Sequence, residues 1–324
     1  MNILVSGCAG FIGYHMCEYL CVRYPKIKII GFDNINNFYS INLKKKRLKK
    51  LKSFSNFYFT KVDLMDKKKL SNLFKKNQID RVFHFAAQAG VRDSIKNPKS
   101  YYDSNFEGFI NIIKLSKEYN IKKFIFASSS SVYGDQKKYP INEKADIIPK
   151  NIYSATKKFN EDIAEDISQI SNMKIIGLRF FTVYGEFGRP DMLIFKFLHS
   201  LISSKKFNLY NNGKNYRDYT HIEDVIEIVH KIMTLKIKKK FEIFNICSNK
   251  PIDTNKVVRF ISKYLNIKPN LNLTKRNKIE VLKTHGDNSK ILKLTKYKIK
   301  KNIYKELPKI IDWYQKNNIW KLKH

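Results

Sequence analysis

The sequence predicts an α/β protein built on a doubly wound parallel sheet, with a smaller C-terminal lobe laid over the sheet's carboxyl edge. Three observations carry that expectation. Strand-length runs alternate with stretches of helical period through the first half of the chain, a glycine-rich turn follows the first run, and the alternation weakens after about residue 179. The 324 residues suffice for two cores at the usual roughly 150 residues per domain, and 43% apolar with 14% aromatic content supplies the material.

Taken in order, the strand-length runs are 3–6, 27–33, 57–62, 81–86, 124–128, 175–181 and 241–246, each rich in Ile, Val or Phe. Between the first six lie stretches of helical period, including 12–22, 68–74, 105–119 and 151–171. A strand that reaches the next strand through a helix pairs with it in parallel, hence the doubly wound sheet. Past Arg179, the Pro- and Gly-bearing segments GEFGRPDM and YNNGKNYRDY, and a tail from about Pro251, fit a different lobe. Residues 1–178 are therefore expected to form the sheet domain, with about 216–248 returning to it, and 179–215 with 249–324 to form the lobe.

The start MNILVSGCAGFIGYH has neither the positive n-region nor the long apolar run of a secretory leader. No window reaches the about 18 uninterrupted apolar residues of a membrane span, so a cytoplasmic protein is expected. Cys8, Cys17, Cys21 and Cys247 form no CxxC pair, and Cys17 with Cys21 read as small apolar groups on one helix face. The seven histidines fall in no metal-ligand spacing, and no metal is expected.

The formal charge of +35 invites a nucleic-acid or membrane partner. Only nine of the 63 basic residues are arginine, however, and lysine runs at 44–46, 67–69 and 238–240 recur with no zinc finger or RNA-binding aromatic pattern beside them. A solvated basic surface is the expectation, with neither nucleic acid nor membrane as partner. The scarcity of arginine makes each one near a motif a stronger candidate, because lysine substitutes poorly for a planar bidentate fork.

The turn after the first run is Gly7-Cys8-Ala9-Gly10-Phe11-Ile12-Gly13, and the helix that follows would aim its first amides and dipole at an anion. Its spacing is Gly-x2-Gly-x2-Gly, one residue wider than the commoner dinucleotide fingerprint. Asp33 strengthens the reading. It ends the second strand twenty residues past Gly13, where a carboxylate accepts from the adenosine ribose and repels a 2′-phosphate. NAD rather than NADP is expected.

The glycine loop, the stretch SSSSVYG from Ser128 to Gly134, and Tyr153-Ser154-Ala155-Thr156-Lys157 together resemble the extended short-chain dehydrogenase/reductases, a family of Rossmann fold. Tyr-x3-Lys alone carries little, since it occurs seven times in this chain. Tyr153 is selected by its place 24 residues after Ser129, at the start of a long amphipathic helix where positions i and i+4 share a face. To act as a base at neutral pH a phenol must lose about three pKa units, roughly 4 kcal/mol, which the Lys157 ammonium and a cationic nicotinamide are expected to supply. The resemblance implies that Lys157 also holds the nicotinamide ribose and that Ser129 donates to the reacting oxygen. It further implies that Gly7, Gly10, Phe11, Ile12, Gly13, Asp33, Asn34, Asp63, Leu64, Phe85, Ala86, Ala87, Gln88, Ala89 and Asn105 line the NAD site with Tyr153 and Lys157.

Longer stretches, DNINNFYSINLKKKRL, HFAAQAGVRDSIKNP, LRFFTVYGEFGRPDMLIFKF and NGKNYRDYTHIEDV, are similar to the UDP-glucuronate 4-epimerases within that family. The implied chemistry is redox-neutral: Tyr153 and NAD oxidise C4, the 4-keto sugar turns over, and hydrogen returns to its other face. Related dehydratases carry Asp-Glu in the slots of Ser130 and Ser131, and decarboxylases carry Glu in the second; serines in both favour simple epimerisation. A 4-keto uronic acid tends to lose CO2, so its carboxylate must be held, a role the resemblance gives to Ser130, Ser131, Thr182 and Arg189. Arg217 matches a phosphate-binding arginine and Tyr210 an aromatic that stacks on uracil. Arg92 meets phosphate or carboxylate, or caps its loop. In KRNKIEVLKTHGD, Asn277 stands beside Arg276 where some relatives have a second phosphate arginine, and Glu280 replaces an Asp. The implied partners are a UDP-sugar and a second copy of the chain, paired through the helices near 105–119 and 151–171. A 4-epimerase of UDP-glucose or UDP-N-acetylglucosamine, a UDP-glucuronate decarboxylase and, outside enzymes, an NAD-sensing or nucleic-acid-binding protein are the alternatives.

Overall fold

The computed structural model describes residues 1–275 and 279–321. From the N-terminus run β1 (Asn2–Ser6), α1 (Phe11–Arg23), β2 (Lys28–Asp33), α2 (Ile41–Leu51), β3 (Phe57–Lys61), α3 (Lys67–Lys75), β4 (Arg81–His84), α4 (Asp93–Lys96) and α5 (Pro98–Tyr101). A π-helical turn (Tyr102–Glu107) leads into α6 (Gly108–Glu118), followed by β5 (Lys123–Ser129), a 3-10 turn (Ser130–Tyr133), α7 (Ile152–Gln169) and β6 (Lys174–Phe180). The remainder comprises β7 (Thr182–Tyr184), α8 (Leu193–Ile202), β8 (Phe207–Tyr210), β9 (Tyr216–His221), α9 (Ile222–Thr234), β10 (Phe241–Ile246), β11 (Pro251–Asp253), α10 (Thr254–Leu265), β12 (Leu271–Thr274), α11 (Ser289–Thr295) and α12 (Ile303–Lys316).

The main sheet has the order β10-β6-β5-β4-β1-β2-β3, and every pair in it is parallel. The order runs outward from β1 in both directions, so the crevice at the strand ends between β1 and β4 is the switch point where such sheets receive ligands. Both faces are covered, as parallel strands require. Ile3, Val5, Ile125, Ile176 and Leu178 point into the core formed with α1, α9 and the lobe, whereas Leu4, Phe124, Phe126 and Ile175 point into the core under α3, α6 and α7. This is the period-two alternation of extended chain.

All seven expected strands occur, with ends within two residues of the expected bounds. Of the segment 216–248, only Phe241–Ile246 joins the main sheet as a strand; β9 instead pairs with β7 and β11 in a small sheet, while α9 packs into the main core. The helix expected at 105–119 begins as the π turn, which swings Asn105 inward. Sequence periodicity did not reveal α2, because lysines occupy five of its eleven positions and two of its buried positions are Lys44 and Arg47.

Candidate active site

Strand ends, glycine turn and lobe enclose a cavity of about 690 Å³. Gly7 has φ +70°, and a Cβ there would lie 2.7 Å from Ala86 N; at Gly13 it would lie 2.2 Å from Gly7 O. The turn closes only with glycine at both. Helix α1 starts after Gly10 with no side-chain cap, and among the described residues no acceptor takes the amides of Phe11, Ile12 and Gly13. Uncapped amides at the positive end of a helix dipole suit a pyrophosphate.

Beyond β2 the chain folds through consecutive Asx turns: Asp33, Asn34 and Asn36 each accept from the N–H two residues on. Asp33 also accepts from Ala9 N at 3.1 Å, which ties the second strand to the glycine turn and leaves lone pairs on both oxygens. Asn34 donates to Asp63 at 2.8 Å. Lys44 of α2 donates to Asn36 O and Oδ1 at 2.8 and 2.6 Å, and burial lowers its ammonium to about 8. Lys44 and Asn36 line the cavity and escaped the sequence reading; the run Asn34-Ile35-Asn36-Asn37 was the available signal.

Leu64 and the five residues from Phe85 to Ala89 line the same space, but Asn105 does not. Its Oδ1 accepts from Gln88 N at 2.7 Å, and its Nδ2 donates to Gln88 O and Thr156 Oγ1. With its amide engaged inside the protein, Asn105 braces the Gln88 backbone. Arg47 plays a comparable bracing part. Completely buried, it donates to Ala9 O (2.8 Å) and Tyr39 Oη (2.6 Å) on one side and to Phe187 O (2.5 Å) on the other.

Tyr153 and Lys157 project from the first turns of α7, whose start is fixed by a capping box between Asn151 and Ser154. Ser129 ends β5 beside the Tyr153 phenol, which its hydroxyl pulls toward lower pKa, while Lys157 Nζ donates to Ala127 O at 2.8 Å. The four serines divide their work. Ser128 turns inward to Glu161, Ser129 faces Tyr153 and takes Ser131 N at 3.1 Å, and Ser130 and Ser131 line the cavity from the 3-10 turn.

The protein's own groups do not lower the phenol. Burial pushes Tyr153 above its ordinary value, outweighing the Ser129 hydroxyl and the Arg189 charge that pull it down. Lys157 is lowered to about 8, again by burial, with Glu161 opposing. Its ammonium points at the Ala127 carbonyl, and the cation that lowers Tyr153 is Arg189.

Thr182, Arg189, Tyr210, Arg217 and Arg92 all border the cavity. The expected bidentate edge of Arg189 is already engaged, however: Nε and Nη2 bind Asp191 at 3.0 and 2.5 Å. Arg92 pairs through Nε with Glu280 at 2.5 Å and stacks 3.7 Å from the Tyr210 ring centroid, so that edge of Arg92 and one face of Tyr210 are engaged. Arg217 donates to Tyr216 O and Leu282 O, and burial lowers its guanidinium. Arg276 and Asn277 lie outside the described residues. Among the described residues no three His, Cys, Asp or Glu gather as a metal site, and no helix is long and apolar enough to cross a membrane.

Residues 3–247 match the NAD dependent epimerase/dehydratase family, and the chain belongs to it. An uncharacterized protein of Methanocaldococcus jannaschii is 41% identical over 99% of this chain and 98% of its own length. A UDP-glucuronate 4-epimerase of Thermodesulfobacterium geofontis is 34% identical over 97% of this chain and 96% of its own. The crystal structure of UDP-glucuronic acid 4-epimerase from Bacillus cereus in complex with UDP-glucuronic acid and NAD superposes with a TM-score of 0.91, at 29% identity, over 98% of this chain and all of that one. Within its family the chain is an extended short-chain dehydrogenase/reductase of the sugar-nucleotide epimerase group, an NAD-dependent isomerase.

Proposed function

We propose that the enzyme inverts C4 of UDP-glucuronate to give UDP-galacturonate. The observation that carries this reading is the set of uncharged hydroxyls, Ser130, Ser131 and Thr182, sharing one cavity with Tyr153 and Lys157 and with no carboxylate in the slots where elimination or decarboxylation would use one. The two similar proteins named for UDP-glucuronic acid support it.

The closed glycine turn, the uncapped amides of α1 and the spare lone pairs of Asp33 fit NAD, and Lys157 would hold its nicotinamide ribose. Bound NAD supplies the acceptor and donor for the hydrogen on C4, and a positive ring beside the buried phenol. The Tyr153 phenolate takes the proton of the 4-hydroxyl and later returns it. Ser129 donates to the same oxygen, and the Lys157 ammonium keeps positive charge near the phenol. The hydroxyls of Ser130, Ser131 and Thr182 hold the sugar carboxylate out of line with the ketone, so the bond to CO2 stays intact. Because Asp191 occupies its fork, Arg189 acts through its charge on Tyr153. Arg217 faces the diphosphate and Tyr210 the base. Two copies pair through α6 and α7, where Phe106 and Phe159 stack at 3.8 Å beside an apolar groove of Ile110, Ile113, Ile163 and Ile167.

Purified protein given UDP-glucuronate is expected to yield UDP-galacturonate, resolved by anion-exchange chromatography, and to release NAD on denaturation. A UDP-pentose with CO2 as main products would make it a decarboxylase. Faster conversion of UDP-glucose or UDP-N-acetylglucosamine would move the assignment to those sugars.

A further inference from the structure

Three successive turns of α7 meet three successive residues of β5. Lys157 donates to Ala127 O, Glu161 accepts from Ser128 Oγ at 2.5 Å, and the Tyr153 phenol lies beside the Ser129 hydroxyl. Glu161 is 4% exposed, and its oxygens also accept from Nε and Nη2 of Arg179 on β6, at 2.9 and 2.7 Å. Arg179 continues the chain of contacts through Tyr133 Oη (2.8 Å) to Asn245 of β10 (2.7 Å). A buried ion pair contributes little net stability, because desolvating both charges offsets most of their attraction. Its place beside the reacting lysine points elsewhere.

We propose that Glu161 is a positioning residue for the reaction: it locks the register of α7 on β5, so that Tyr153 and Ser129 address one substrate oxygen, and it holds a negative charge one turn from Lys157. This rests on the proposed roles of Tyr153 and Lys157 and adds to them a residue that touches neither sugar nor cofactor. The groups that face Lys157 are Tyr153 and Glu161 on its own helix and His84 on β4; Arg179 on β6 is held on Glu161, and Arg189 from the segment after β7 acts on Tyr153. His84 stays neutral, lowered to about 3 by burial and then by Lys157, and Arg189 is paired with Asp191. Arg179 is neutralised only by Glu161 among the described residues. Replacing Glu161 with glutamine therefore removes the one charge that raises Lys157 and leaves the guanidinium of Arg179 without its counter-charge.

The test is the pH profile of kcat, with KM measured alongside. Wild type is expected to lose activity on the alkaline side near pH 8, where Lys157 deprotonates. In Glu161→Gln that limb moves to lower pH by about one unit, roughly a tenfold loss at pH 8. Ser128→Ala keeps the charge but frees the strand, so kcat falls on the order of tenfold with the limb in place. Glu161→Asp restores the limb but not the full kcat. A purely structural role would lower the melting temperature and leave the limb unmoved, which overturns the proposal, as does an unchanged kcat in Ser128→Ala. If Glu161→Gln does not fold, Glu161→Gln/Arg179→Met removes both buried charges and is judged by the same limb. Ionisation of Tyr153, read without substrate as the tyrosinate absorbance lost on adding Tyr153→Phe, is expected to rise in Glu161→Gln. Were wild type to convert no UDP-sugar, the functional reading would fail while this titration still decided the role of Glu161.

Discussion

At the scale of single residues, burial and catalysis pull Tyr153 in opposite directions, and Arg189 is the fixed cation on the catalytic side. Tyr153→Phe is expected to cut kcat by about a thousandfold while NAD remains bound, checked by steady-state rates and by cofactor released on denaturation. Arg189→Met should slow UDP-glucuronate and UDP-glucose alike and move the acid limb of kcat to higher pH, because its charge acts on the phenol and not on the sugar's C6. Thr182→Val should raise KM roughly tenfold or more for the uronate and leave UDP-glucose nearly untouched, as expected for one lost hydrogen bond to a charged group. Equal effects of Thr182→Val on both sugars would refute the carboxylate assignment. Ser129, Tyr153 and Lys157 were legible because their spacing places them on one strand end and one helix face. Asp191 was not, since nothing in its type says that it closes on a guanidinium two residues back, and the bracing of Gln88 by Asn105 was not, because it depends on a π turn that leaves no periodic signal.

Elements were legible in proportion to the purity of their pattern. The sheet strands carry almost unbroken Ile, Val and Phe, whereas α2 hides a buried face under lysines, and the short pairings β7-β9-β11 and β8-β12 depend on partners far along the chain. The start of α7 rests on its capping box. Asn151→Ala is expected to destabilise the protein by about 1 kcal/mol, read from urea unfolding. In the proposed dimer the outer face of the same helix and the turn before α6 meet the partner: Phe106→Glu with Ile163→Asp should turn a dimer into a monomer by light scattering, while a wild-type monomer would rule that interface out.

For the whole molecule, global and local charge act in the same direction with pH. The chain carries +35 and reaches neutrality only near pH 9.9, so self-repulsion eases as pH rises. Lys44, Lys123 and Lys157 are each lowered to about 8 by burial, against an unfolded value above 10. Between those values these three lysines bind more protons in the unfolded chain than in the native one and favour the native state as pH rises, until the buried thiols of Cys8, Cys17, Cys21 and Cys247, raised above their ordinary value by burial, oppose them from about pH 9 upward. The midpoint of thermal unfolding is expected to rise from about pH 7.5 to about pH 8.5 at low salt, with a smaller rise at high salt, and to level off above about pH 9. A fall over that interval would show that these lysines are not held as described. Lys123 also closes the far end of α9, donating to Ile232 O, Met233 O and Leu235 O.

Arg47 gives the molecule a mechanical character. One side chain stitches the turn that would cradle a dinucleotide to the segment that carries Arg189, so neither wall of the cleft loosens alone. An isomerase that ends each cycle with its cofactor in the starting state has no need to let it go, and a shared rivet of this kind favours keeping both walls shut around a permanent tenant.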